Sequence, residues 1–216
     1  MIQIRHKSTG AVLLEVESDT LAGAKLSGAK LQGASLQGHD LRGAIVNNAD
    51  LRDADLRGAN LANATFNSAA FDSANAAHAD LTGADLTDCT LVGADFSAAN
   101  MQRANLRYAR LTGANLSGAN LTKSDLSMTD LRANLSTAVL KGADLRAADL
   151  SGANLMGANL EDANLTDANL NCAVITRARM RGAIDKSGRA AALVAANGGG
   201  EKTTSKASRP WWQFWG

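Results

Sequence analysis

Leu111-Thr112-Gly113-Ala114-Asn115 and Leu116-Ser117-Gly118-Ala119-Asn120 are one five-residue word written twice: a large apolar residue, a small polar one, Gly, Ala and Asn. Leu111 and Leu116 hold the large position, called here the centre. Ala114 and Ala119 hold the small position, two residues before the next centre. Centres recur at every fifth residue from Leu21 to Leu131. The segment Leu131-Arg132-Ala133-Asn134-Leu135 is one residue short, after which centres continue from Leu135 to Met180, giving 33 in all.

A helix turns about 100° per residue, so every fifth side chain would drift around it and no apolar stripe would form. A strand places Ala and the centre two residues later on one side, with the intervening Asn or Asp on the other. Three residues of strand and a two-residue corner complete the word. Glycine at the corner supplies permissive dihedrals, and Asn or Asp suits the adjoining turn. A chain that bends the same way at each corner winds into a solenoid.

Ala-(Asn/Asp)-Leu-x-x in tandem closely resembles the pentapeptide-repeat proteins, over about three quarters of the chain. The resemblance implies an all-β fold, a right-handed four-sided parallel β-helix with four repeats per coil. It also implies that the centre and the residue two before it point inward. The spacing argument yields the same inward pair, whereas the square section comes from the resemblance alone. At ~4.8 Å per coil, 33 centres make about eight coils and a rod about 40 Å long.

The ends leave this register. In residues 1–20, Ile2 and Ile4 alternate with polar residues, Ser8-Thr9-Gly10 turns, and Val12, Leu14 and Val16 alternate with Leu13, Glu15 and Glu17. This is a β-hairpin pattern, and an open solenoid end needs a cap of that kind. Residues 21–185 form the solenoid. Residues 186–200 hold a short candidate capping helix, RAAALVAA, and a Gly-rich linker. Residues 201–216 read as a flexible tail that ends Pro210-Trp211-Trp212-Gln213-Phe214-Trp215-Gly216. Relatives often dimerise near their C-termini, so the resemblance implies a homodimer through that end, with Leu193 and Val194 as contacts.

Within the repeat, Ala76 stands where a large centre is expected, and the bulky centres Phe71 and Phe96 are expected to fill the space. His39 and Cys89 replace inward alanines and read as packing residues, while Cys172 falls at an exposed corner. The shortened repeat near Ala133 is expected to tighten one corner without ending the coil.

The 22 basic and 21 acidic residues leave a net charge of +1, which predicts no strong attraction to nucleic acid. Some relatives of this resemblance modulate DNA gyrase as acidic DNA mimics. A 40 Å duplex carries roughly two dozen charges, and the near-neutral repeat cannot reproduce that field by net charge. Asp50, Asp130 and Asp149 share a face with Arg52, Arg110 and Arg132.

No nucleophile–base cluster, metal-ligand spacing or phosphate-cradling Gly loop stands in the chain, so neither enzyme, cofactor nor metal is expected. Two cysteines without an evident partner, and no leader-like apolar run, suit the cytoplasm. The expected function is a non-enzymatic scaffold for protein–protein interaction, through the solenoid surface and the terminal peptide. Trp211, Trp212, Phe214 and Trp215 are the expected hook, either for a protein or for a membrane surface, since Trp and neighbouring basic residues serve both. Fold-back of the tail onto the solenoid is the third arrangement.

Overall fold

The structure, a computed structural model, describes residues 1–184. From Lys25↔Ile45 to Asn164↔Ile184, residues on neighbouring coils pair in parallel at an offset of twenty, save four pairs from Asn115↔Asn134 to Asp130↔Asp149. Twenty residues are four repeats, so each coil has four sides.

The repeat Leu116–Asn120 shows why the word has five letters, because each backbone N–H has its own acceptor. Leu116 N and Gly118 N donate forward to Asn134 O (2.7 Å) and Ser136 O (2.9 Å) on the next coil. Asn120 N donates backward to Ala99 O (2.9 Å), and Ala119 N closes the corner on Leu116 O (3.1 Å). The remaining donor, Ser117 N, is taken by the side chain of Asn115, at 3.2 Å from Oδ1. Asn or Asp before the centre is therefore a turn cap. The corner bond from Ala to the centre draws four of the five residues into a turn. The carbonyl of Ala, both peptide groups of Asn/Asp and the N–H of the following centre pair with the neighbouring coils, so each side is a very short strand between corners.

The second residue after the centre takes a left-handed backbone at every corner but one, with φ between 53° and 76°. With the Ala-to-centre bond this matches the type II turn, which demands positive φ at that point. The exception is the segment Leu131–Leu135, which has no such residue. There Leu131 N still donates to Asp149 O (2.7 Å) and Asn134 N to Ala114 O (2.9 Å). Pairing across the gap shifts to an offset of nineteen, as in Asn115↔Asn134, and then returns to twenty. The coil is tightened at one corner and continues.

Leu111, Leu116 and Ala119 are fully buried and Ala114 is 1% exposed. Phe71 and Phe96 are fully buried, as is Ala76. A third ring, Phe66, joins them: Phe66 meets Phe71 edge-on with centroids 5.2 Å apart, and Phe71 lies 6.4 Å from Phe96. Aromatic contact across coils thus occupies the region where Ala76 gives up volume.

Strands β1 (Ile2–Arg5) and β2 (Val12–Val16) form an antiparallel hairpin. Ile4 pairs with Leu14 but Arg5 pairs with Val12, so Leu13 is an extra residue in a bulge. The bulge turns Val12 outward, 42% exposed, and breaks the simple alternation of Val12, Leu14 and Val16. β1 lies on the first coil: Ser35 N donates to Arg5 O (2.7 Å) and Lys7 N to Gly33 O (2.8 Å). Ile4 is buried there, and a Cβ on Gly33 would collide with the His6 ring. His39 sits at the uncovered part of the same coil, half-buried like Ala24 and Ala29, with Nδ1 3.1 Å from Gln37 O. An imidazole fits an alanine slot there because no coil lies above it.

Two outcomes follow for equilibrium unfolding by chemical denaturant. Phe96→Ala should cost about 3–5 kcal/mol, since it empties space that Ala76 leaves unfilled. Ala98→Gly, at φ 53°, should raise stability by about 0.5–1 kcal/mol by relieving a left-handed alanine.

Candidate interaction surface

The outward positions are the Asn/Asp cap and the two corner residues. Eighteen of the left-handed corner positions hold residues other than glycine, among them Arg103, Tyr108, Lys123 and Met128. A left-handed backbone costs an L-residue about 1–2 kcal/mol relative to the right-handed form, a cost glycine avoids. Inside, by contrast, nearly every slot is Leu or Ala.

Wherever Asp-Leu-Arg occurs, the arginine folds back over the centre onto the capping carboxylate. Arg52 reaches Asp50 through Nε (2.8 Å) and Nη2 (2.6 Å), while Arg52 N also donates to the same carboxylate at 3.2 Å. Asp40–Arg42, Asp55–Arg57, Asp130–Arg132 and Asp144–Arg146 repeat this bidentate fork. The arginine hydrogen bond holds Asp40, Asp50 and Asp55 below the usual carboxylate range, and Asp130 down to about 2. Of the shared face noted in the sequence, Asp50 and Asp130 are consumed by Arg52 and Arg132. Asp149 lies 3.7 Å from Arg132, and Arg110 is exposed.

Charges that escape these forks are banded along the rod. Residues 58–102 contain five aspartates and no Lys or Arg. Residues 103–146 contain seven basic and three acidic residues, of which two forks take Asp130, Arg132, Asp144 and Arg146 and leave five basic and one acidic, and residues 147–176 contain four acidic and none basic. A near-zero total conceals this order, which a single sum over the repeat misses. Tyr108 and Met128, 46% and 50% exposed, stack at one corner on adjacent coils of the basic band. Arg107 lies over the Tyr108 ring at 5.3 Å, with Nη2 3.4 Å from the hydroxyl.

Inside, among the described residues, three alanine slots besides that of His39 are polar. Cys89 is fully buried; its Sγ donates to Phe66 O (2.9 Å), and burial pushes the thiol up to about 12. Ser124 and Thr129 went unnoticed in the sequence. Their hydroxyls donate to Leu121 O (2.8 Å) and Leu126 O (2.7 Å), the carbonyls that close their own corners. The signal was there, since both fall in the inward register. Cys172 is exposed at a left-handed corner. Trp211, Trp212, Phe214 and Trp215, the candidate helix and linker of 186–200, and the Leu193–Val194 dimer contact all lie outside the described residues.

A family model for pentapeptide repeats matches the chain in 8 copies, over residues 20–48, 49–88, 66–103, 79–118, 99–133, 132–162 and 148–184. A search of curated proteins gives no match. Among solved structures the chain is similar to HetL, a pentapeptide repeat protein involved in heterocyst differentiation regulation from the cyanobacterium Nostoc sp. strain PCC 7120. Identity is 29%, covering 80% of this chain and 94% of HetL, with a TM-score of 0.52. It is also similar to full-length QnrB1, a plasmid-mediated fluoroquinolone resistance protein, at 20% identity over 76% of this chain and 89% of that one, TM-score 0.40. A pentapeptide repeat protein from the Arabidopsis thaliana thylakoid lumen matches at 34% identity over 52% and 68%, TM-score 0.28. The matching family model and HetL imply a right-handed quadrilateral β-helix, in agreement with the four-repeat coil.

The forks predict an acid limb of stability. Their aspartates titrate lower when folded than the ~3.9 of an unfolded aspartate, so the unfolded chain binds more protons in between. Their contribution is complete above about pH 4 and should fade toward pH 2. For Asp130 it amounts to about 1 kcal/mol or less, because the pair is partly solvated. Thermal unfolding followed from pH 7 to 2 should show this fall, and Asp130→Asn should lessen it.

Proposed function

The chain belongs to the pentapeptide-repeat family, and on that premise we propose that it is a non-catalytic scaffold that presents its outer surface to protein partners. One observation carries this reading. Among the described residues, twelve corner positions hold residues other than Gly, Asn or Asp, side chains that a left-handed backbone disfavours, while the interior stays almost uniform. Stability is given up at the corners and side-chain variety is gained outside. Positions that serve only the frame would be served better by glycine. HetL, which is involved in regulating heterocyst differentiation, is consistent with a regulatory rather than metabolic role.

The tail adds a second contact in this proposal. Trp211, Trp212, Phe214 and Trp215, with Lys202, Lys206 and Arg209 preceding them, form an aromatic hook on a basic tether. A protein partner is the favoured target, with cytoplasmic placement. Attachment to an anionic membrane surface is its alternative, by interfacial Trp anchoring and headgroup attraction. A gyrase-directed role stands second for the solenoid. The aspartate band at 58–102 spans about two coils, or roughly 10 Å, where duplex DNA carries about six charges. The basic band that follows it interrupts any longer imitation.

Replacing Arg103, Tyr108, Lys123 and Met128 together by Gly separates surface from frame. The variant should melt at or above the parent temperature yet lose partners that the parent captures from native lysate. Unchanged capture by this variant, and by a chain ending at Lys206, would count against the scaffold reading. Liposome co-sedimentation of full chain against the chain ending at Lys206 distinguishes the two targets of the tail. Equal pelleting removes the membrane. In a gyrase supercoiling assay, no inhibition or protection at micromolar levels removes the second reading.

A further inference from the structure

We infer that one side of the solenoid, the side on which Thr65, Asp85, Asn105 and Asp125 stack, docks a second copy of this chain lying antiparallel. This goes beyond the scaffold reading and does not involve the tail. Its basis is a reversal of sign between two adjacent coils. On the coil of residues 82–88 this side and its corners carry Asp85 and Asp88 with no cation. On the next, residues 102–108, they carry Arg103 and Arg107 with no carboxylate.

None of these charges sits in an arginine fork, although Asp85 caps its own turn by accepting from Thr87 N (3.1 Å) and Thr87 Oγ1 (2.6 Å). Asp88 and Arg103 are exposed, and neither takes part in an ion pair among the described residues. Arg107 comes no closer than 3.9 Å to a carboxylate, that of Asp125, and its Nε is buried without a hydrogen-bond partner. The Tyr108 ring beneath the guanidinium holds it in place at 5.3 Å. Asp-Leu-Arg turns on the same rod show what a satisfied arginine looks like, with two short bonds to one carboxylate. Arg107 follows Asn105-Leu106 instead, so its own turn offers it no carboxylate.

A two-fold axis perpendicular to the rod, between these coils, resolves the reversal. It keeps lateral position and inverts coil order. Arg107 then faces Asp88 of the second copy, Asn105 faces Asp85 of the second copy, and each pair occurs twice. Met128, half exposed one coil further on, faces the small corner residue Ser68 of the second copy. A two-fold along the rod would instead set acidic coil on acidic coil. An unrelated acidic partner would satisfy Arg103 and Arg107 but would lie against Asp85 and Asp88. An isologous contact uses both signs at once through Arg107 and Asp88, with Arg103 set opposite Gly83 of the second copy. The net charge of +1 does not oppose association.

The side is about 40 Å long and, with its corners, about 15 Å wide. It therefore buries roughly 600 Å² per copy, below the ~800 Å² of a standard interface. Association is weak and depends on salt.

The test is sedimentation velocity of the full chain from about 10 to about 300 µM, at about 50 and about 500 mM salt. The parent should dimerise more strongly at low salt. Asp88→Lys and Arg107→Glu should each weaken self-association at least about tenfold, because each sets like charges opposite one another. Mixed in equal amounts, the two variants should recover dimer to within about threefold of the parent, since both contacts again join opposite charges. Recovery on mixing also shows that neither variant failed to fold. A parent that stays monomeric at low salt, a variant that dimerises as the parent does, or a mixture without recovery overturns the proposal.

Discussion

Coil-to-coil pairing at a constant offset is the constraint from which the remaining structure follows. The centre's N–H reaches the carbonyl nineteen residues ahead, as in Leu111 to Asp130. The capping residue's N–H reaches back to the preceding coil, as in Asn115 to Ala94. Once those bonds set the offset, a position in the repeat is a position in space. Leucine stacks on leucine and alanine on alanine, and the interior is a column one side chain deep. Each buried leucine contributes about 1.5–3 kcal/mol. That set must offset backbone ordering of about 1–2 kcal/mol per residue, so an isolated repeat has no stable fold. Stability belongs to the stack.

The same constraint explains which exceptions the interior accepts. A small residue at a centre, Ala76, is tolerated beside three aromatic rings because neighbouring coils share the column. Ser124 and Thr129 are tolerated because the corner carbonyl lies within reach of a hydroxyl and has a second lone pair. Cys89 finds a carbonyl on the preceding coil. His39 is accepted only where the column is open. Each exception meets a local condition, volume, acceptor or exposure, without disturbing the offset.

Outside, the frame asks little. Its two demands are a left-handed residue at the corner and an acceptor for one corner N–H. Asp and Asn supply the acceptor, and where arginine follows the centre the cap becomes an ion pair as well. Surface charge is therefore divided between groups bound within their own turns and groups left free. Net charge does not distinguish them. The free groups, with Tyr108 and Met128, are the part of the surface able to recognise something else.

From the sequence alone came the inward pair, the Gly-compatible corners, the position of the hairpin and the register slip near Ala133, since periodicity is a local property that survives without coordinates. The square section came through family likeness. Tertiary structure decided what depends on residues twenty apart or on side-chain reach. It set the bonding of each side, where the peptide groups flanking the Asn/Asp residue pair with both neighbouring coils and the Ala-to-centre bond closes the corner. It turned Val12 outward through a bulge that alternation could not reveal. It added Phe66 to the aromatic group and separated the aspartates held by arginine from those left free. Asp50 and Asp88 are the same residue type in different slots of the repeat, a cap before Leu51 and a left-handed corner after Leu86. Arg52, folded back across Leu51, binds Asp50 into the frame, whereas Asp88 at its corner stays on the surface.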